Sequence, residues 1–206
     1  MGKLWHDKNR VTFRNDTFVS DYIPIDPLGV NHLYFLLAES RDDKENDPLI
    51  IWLQGGPGCS GMMGAWTEHG PYNFKYNPDS IKQRGNFTYN PHSWNNRAHV
   101  LYIDQPIGTG FSKSNSVFSH RVNGEQVSRD FYEFLRNFYD AYPEFRNRRM
   151  YLAGESYAGH YIPSMANYLY HNAEFYTYWP SGIIISSGWV DPFYQYPSYP
   201  DFAYEN

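Results

Sequence analysis

The stretch Arg149-Met150-Tyr151-Leu152-Ala153-Gly154-Glu155-Ser156-Tyr157-Ala158-Gly159-His160-Tyr161 decides how the chain is read. Residues 149–153 read as a short strand and 157–172 mostly as a helix, although Pro163 argues against an unbroken one. Between them Ser156 sits on a turn so sharp that the residues two before and two after it must be small. Gly154 and Ala158 meet that demand. Such a turn lifts a serine hydroxyl out at the carboxyl edge of a sheet and aims a helix N-terminus at the group it attacks. Ser156 is therefore the candidate nucleophile. In isolation the same residues also suit a structural Ser-Gly turn.

Working outward, Pro48 introduces Leu49-Ile50-Ile51-Trp52-Leu53, an apolar run of buried-strand type. Gln54-Gly55-Gly56-Pro57-Gly58-Cys59 follows, and its glycines imply close backbone packing. Residues 31–38, 99–103 and 182–186 also read as strands, while 77–96 reads as a loop punctuated by Pro78, Gly85 and Pro91. The clearest helix starts near Asn123, whose side chain can cap it, with Gln126 placed to complete a capping box. Val127, Phe131, Phe134, Leu135 and Phe138 share one face of it, and Pro143 stops it. Strands alternating with helices at this spacing predict an α/β fold with a mostly parallel sheet flanked by helices. In α/β hydrolases the N–H after the nucleophile and an N–H from a loop following an earlier strand form an oxyanion hole. Tyr157 and Gly56 would supply those donors.

Composition sets the outer limits. A chain of 206 residues, 41% hydrophobic and 19% charged, is long enough for one sizeable core. Its 19% aromatic content suits either a ring-rich core or an aromatic-lined cleft. A net charge of -5 with no basic stripe argues against a nucleic-acid partner. The apolar runs are too short to span a bilayer, and Met1 to Arg10 shows no apolar leader. Cys59 is the sole cysteine, so no disulfide can form within the chain. Asn15-Asp16-Thr17 and Asn86-Phe87-Thr88 are glycosylation sequons, making Asn15 and Asn86 acceptors if the protein is secreted. Nothing in the sequence asks for a metal or another cofactor, and composition leaves the compartment open.

Five ordered segments now carry a resemblance. Trp52-Leu53-Gln54-Gly55-Gly56-Pro57-Gly58-Cys59-Ser60, Ser93-Trp94-Asn95, Asp104-Gln105-Pro106-Ile107-Gly108-Thr109-Gly110-Phe111-Ser112, the elbow from Gly154 to Tyr161, and Gly188-Trp189-Val190-Asp191-Pro192 resemble the hallmark motifs of the serine carboxypeptidases. Membership implies release of the C-terminal residue of a peptide through an acyl-enzyme on Ser156. It also implies that the substrate's terminal carboxylate is held by Gln54, the Gly55 N–H, Glu68 and Glu155. Two carboxyl groups beside a third cannot all be ionised, so one glutamate must stay protonated and acidic pH should favour binding. Without the resemblance, Glu68 reads as a solvated loop residue and Glu155 as the variable second residue of the elbow. His160 reads as structural and Asp191 as a turn residue.

The departures matter equally. Gln54 replaces the asparagine usual in the family, which keeps acyl transfer or ester hydrolysis open as alternative chemistry. Cys59 is half of a family disulfide whose partner is expected beyond Asn206. The triad Asp and His are expected there too, so 1–206 reads as a partial domain, the N-terminal half of an α/β-hydrolase fold with its C-terminal strands missing. On this reading the chain alone is inactive, and a non-catalytic binding protein is a further alternative. The family implies a lysosomal, vacuolar or secreted setting, a peptide or protein substrate with a free C-terminus, and leaves a homodimer open.

Overall fold

A computed structural model describes residues 9–76, 85–116, 119–174 and 178–205. Its strands are β1 (Arg10–Phe13), β2 (Asp16–Pro24), β3 (Asn31–Ala38), β4 (Leu49–Leu53), β5 (Tyr72–Lys75), β6 (Asn86–Tyr89), β7 (His99–Ile103), β8 (Lys113–Ser114), β9 (Met150–Glu155) and β10 (Gly182–Ser186). The longer helices are α1 (Gly124–Ala141) and α2 (Ala158–Asn172). The main sheet has the order β1-β2-β3-β7-β4-β9-β10, with β8 paired to β3. From β7 to β10 every pairing is parallel, whereas β1, β2, β3 and β7 pair antiparallel. The α/β architecture expected from the sequence is therefore present, as a mixed sheet with its parallel part at the centre and C-terminal side.

Alternation along the central strands sorts side chains onto two faces. Leu49, Ile51 and Leu53 of β4 and Leu101 and Ile103 of β7 join Phe131, Phe134, Leu135 and Phe138 of α1 and Ile162, Met165 and Leu169 of α2 in one core. Trp52 of β4 and Val100 and Tyr102 of β7 face the other way, into a smaller core with Phe18, Ala65 and Tyr72. That second face is covered by a π-helical turn, Gly64–Glu68, and by the antiparallel β5–β6 pair. Burial on both faces is what parallel strands require, and every residue of β7 is buried.

Asn123 caps α1 by accepting from the Gln126 N–H at 3.0 Å, as expected. The returning bond lands one residue early: Gln126 Oε1 accepts from the Val122 N–H at 2.9 Å. The Arg121 guanidinium clamps Asp130 on the same helix. Pro163 does not break α2, which runs through it to Asn172. The region read as a loop differs in part, because β6 pairs with β5 there and Trp94–Asn96 forms a helical turn; 77–84 lies outside the described residues. Asp191 caps a short helical turn, accepting from the Phe193 N–H at 3.1 Å, in keeping with its reading as a turn residue.

Candidate active site

Ser156 follows β9 directly and has φ +56°, a left-handed conformation that costs a non-glycine residue roughly 1–3 kcal/mol. Neighbouring backbone holds it there. The Ser156 N–H donates to the Ser186 carbonyl at 3.1 Å, and the Ser156 carbonyl accepts from the N–H groups of Trp189 at 2.8 Å and Gly159 at 3.0 Å. The demand for small neighbours is literal: a Cβ at Gly154 would lie 2.3 Å from the Leu53 carbonyl oxygen and 2.6 Å from the Ala158 Cβ. Ser156 itself is exposed, with α2 beginning just beyond it.

The glycine segment after β4 closes against this elbow. A Cβ on Gly55 would stand 2.8 Å from the Ser156 Cβ and 2.9 Å from the Tyr157 nitrogen, so the two backbones touch only because Gly55 has no side chain. The segment coils back as the Cys59 N–H donates to the Gly55 carbonyl at 3.1 Å. Cys59 is a free, half-buried thiol. The coil is tied down through Ser60, whose hydroxyl donates to Asp104 Oδ1 at 2.5 Å, while Asp104 Oδ2 accepts from the Phe111 N–H at 2.8 Å. Asp104 and the loop after β7 thus brace the glycine segment rather than enter the cleft.

Three of the residues named for carboxylate recognition meet at one point. The Gln54 amide Nε2 donates to Glu155 Oε1 at 2.7 Å and to Glu68 Oε1 at 3.2 Å. Its Oε1 accepts from the indole N–H of Trp52 at 2.7 Å. Gln54 is buried, whereas both glutamates are half-buried and lie beside the elbow. Burial, and then the charge of Glu155, raise the Glu68 carboxyl above the ordinary carboxylate range. One glutamate of the pair is therefore predisposed to hold a proton.

Sequence reasoning passed over the residues behind this group. Trp52 lies two positions before Gln54 and shares its sheet face, a signal that alternation alone supplies. His69 carried no such signal. Its ring stacks on Trp94 at 4.2 Å and on Tyr102 at 5.6 Å, and meets Trp52 edge-on at 4.2 Å. Burial depresses His69 to about 4. The His160 ring packs against Tyr157 at 4.8 Å and Trp189 at 5.1 Å, in keeping with a structural part. Asn15 and Asn86 are both exposed. Among the described residues no helix is long and apolar enough to cross a membrane.

A strained serine between a parallel strand and a helix, with a glycine loop pressed against it, defines an α/β hydrolase. The family profile described as serine carboxypeptidase matches residues 9–206. A Dictyostelium discoideum member of that family is 39% identical over 187 residues, covering 90% of this chain and 43% of that protein. A pheromone-processing carboxypeptidase of Cryptococcus gattii is 40% identical over 173 residues, covering 84% and 25% respectively. The crystal structure of a prohormone-processing carboxypeptidase from Saccharomyces cerevisiae superposes with a TM-score of 0.78 at 30% identity, over 97% of this chain and 47% of that one. The chain belongs to the serine carboxypeptidase family, and it spans less than half the length of each of these relatives.

Proposed function

We propose that the protein is a serine-type carboxypeptidase that removes the last residue from peptides with a free C-terminus. The observation that carries this reading is the Gln54 amide bonded to both Glu68 and Glu155, with Glu155 immediately preceding Ser156. The buried amide holds the two glutamates together, and a carboxyl able to stay protonated offers a donor to a substrate carboxylate beside the nucleophile. Ser156 Oγ attacks the last peptide carbonyl, and the N–H groups of Gly56 and Tyr157 receive the developing oxyanion. Collapse expels the terminal amino acid and leaves an acyl-enzyme, which water then hydrolyses. The proton leaving Ser156 requires a general base. His160, packed against Tyr157 and Trp189, is not assigned that part.

The segment of substrate before the scissile bond has space to one side. A cavity of about 270 Å³ is walled by Pro57, Tyr157, His160 and Tyr161 together with Val122 and Val127. Its walls also carry Arg121, Asn123, Ser128 and Ser164, so it fits a side chain with both apolar and polar parts at that position. A second reading rests on Gln54 itself. Both hydrogens of its amide already serve the glutamates, so a substrate carboxylate must displace one of them. That favours acyl transfer or ester hydrolysis on the same nucleophile as the alternative.

Turnover of a peptide and of its C-terminally amidated twin decides between the two. A marked preference for the free acid at acidic pH supports carboxypeptidase action, equal turnover supports the ester or acyl-transfer reading, and failure of both peptides with no labelling of Ser156 supports a non-catalytic binding protein.

A further inference from the structure

We infer that His69 is a positioning residue for carboxylate recognition: its ring is a wedge stacked on Trp94 and Tyr102 that fixes the Trp52 indole, while its backbone anchors the turn following Glu68. The inference rests on the carboxypeptidase reading of Gln54, Glu68 and Glu155. The Gln54 amide is fixed from its other end as well, where Oε1 accepts from the Trp52 indole at 2.7 Å. If that indole moves, Oε1 loses its donor and the amide is held only by its two bonds to the glutamates, which loosens its placement. The indole is buried in the smaller core, and three neighbours frame it. On one side, a Cβ at Gly64 would lie 2.4 Å from Trp52 Nε1, so the π-helical turn fits flush against it. On another, the His69 ring meets it edge-on at 4.2 Å, and Trp94 closes the corner at 5.4 Å and 90°.

The His69 ring is itself held. It lies nearly parallel to Trp94, at 21°, and to Tyr102, at 23°, and its Nδ1 is 3.3 Å from the Tyr102 hydroxyl. Its Nε2 is buried without a hydrogen-bond partner among the described residues. The backbone of His69 completes the device. Its N–H donates to the Gly64 carbonyl at 3.2 Å, and its carbonyl accepts from the Trp94 N–H and the Ser93 hydroxyl, each at 3.0 Å. Glu68, the preceding residue, therefore takes its place from the same anchor that orients Trp52.

The test compares His69→Ala, which removes the wedge, with His69→Phe, which keeps a flat ring of similar outline. With the free-acid and amidated peptide pair, His69→Ala should lower the preference for the free acid about tenfold, mostly through KM, the size of one misplaced charge-assisted hydrogen bond. His69→Phe should hold the preference within about twofold. A purely structural part would reduce turnover of both peptides alike and leave their ratio unchanged, and that result overturns the inference, as does a His69→Phe protein that behaves like His69→Ala. The Trp52 indole N–H resonance, assigned with Trp52→Phe, is read in parallel. It should exchange slowly with water in the wild-type and His69→Phe proteins and quickly in a folded His69→Ala protein; unchanged slow exchange in His69→Ala also overturns the inference. This resonance reports on the wedge even if neither peptide is cleaved, so the positioning claim and the carboxypeptidase reading fail separately.

Discussion

Replacing Gly55 with alanine is the substitution that most directly stresses the contact between the glycine segment and the elbow. The new Cβ would lie 2.8 Å from the Ser156 Cβ and from the Glu155 carbonyl oxygen, and 2.9 Å from the Tyr157 nitrogen. Ordinary van der Waals contact starts near 3.4 Å, so the two backbones must separate by about 0.6 Å. None of those neighbours is the free end of a flexible side chain, so the strain falls on the site itself. An oxyanion donor works within about 2.7–3.1 Å, and losing one costs roughly 10²–10³ in kcat. A shift of this size forfeits part of one donor, so Gly55→Ala should slow acylation roughly 10- to 100-fold. Overpacking should cost about 1–3 kcal/mol of stability, leaving a folded protein to assay. The assay is the rate of fluorophosphonate labelling at Ser156 in the active enzyme, read beside a thermal melt. Gly124→Ala is the control, because its Cβ would come no closer than 3.3 Å to the Ser164 hydroxyl. Labelling of Gly55→Ala at the wild-type rate, with an unchanged melt, would refute the proposed contact between the glycine segment and Ser156.

Further outcomes follow from the same geometry. Glu68→Gln should flatten the limb of the pH profile that falls as pH rises, since a raised Glu68 loses its proton there; kcat/KM for a free-acid peptide against pH reads it. Gln54→Leu strands the Trp52 indole N–H and should cost about 1–3 kcal/mol in urea melts, together with the preference for a free C-terminus. His99 is buried and depressed to about 4, chiefly by burial and then by Arg148, with Nδ1 accepting from the Ser40 N–H at 3.3 Å. A depressed folded value means its share of stability is complete above the unfolded value near 6.5 and is lost as pH falls toward 4. At pH 5 that loss is about 2 kcal/mol, and His99→Gln should remove it, seen as a smaller drop in urea midpoint between pH 8 and pH 5.

Legibility in the sequence tracks how local each cause is. β4 and β7 are readable because unbroken apolar runs between proline and glycine signals mark strands covered on both faces, and β10 carries the same kind of run, Ile183-Ile184-Ile185, although Ile183 and Ile184 are exposed. The elbow is readable because Gly154 and Ala158 answer a steric demand confined to a few residues. β2 is hidden because its buried first residue, Asp16, is a carboxylate whose partner, Arg41, lies at 2.7 Å but far along the chain. β6 is hidden because Gly85 and Pro91 bracket a strand whose Phe87 packs against Phe13, Trp66 and Phe74, all remote in sequence. Within the site, the meeting of Gln54, Glu68 and Glu155 is implied by the family resemblance and by no spacing rule. Trp52 was within reach of simple alternation. His69 was not, because Trp94 and Tyr102 converge on it only after β4 and β7 pair in register.

The most direct test traps the intermediate. Acid quenching of the enzyme early in the reaction with a peptide of known sequence, followed by mass analysis, should find Ser156 carrying the peptide less its C-terminal residue, with that residue released in equal amount. An adduct on another residue, an adduct that retains the last residue, or peptide cleavage with Ser156 replaced by alanine would contradict Ser156 as the nucleophile of a carboxypeptidase.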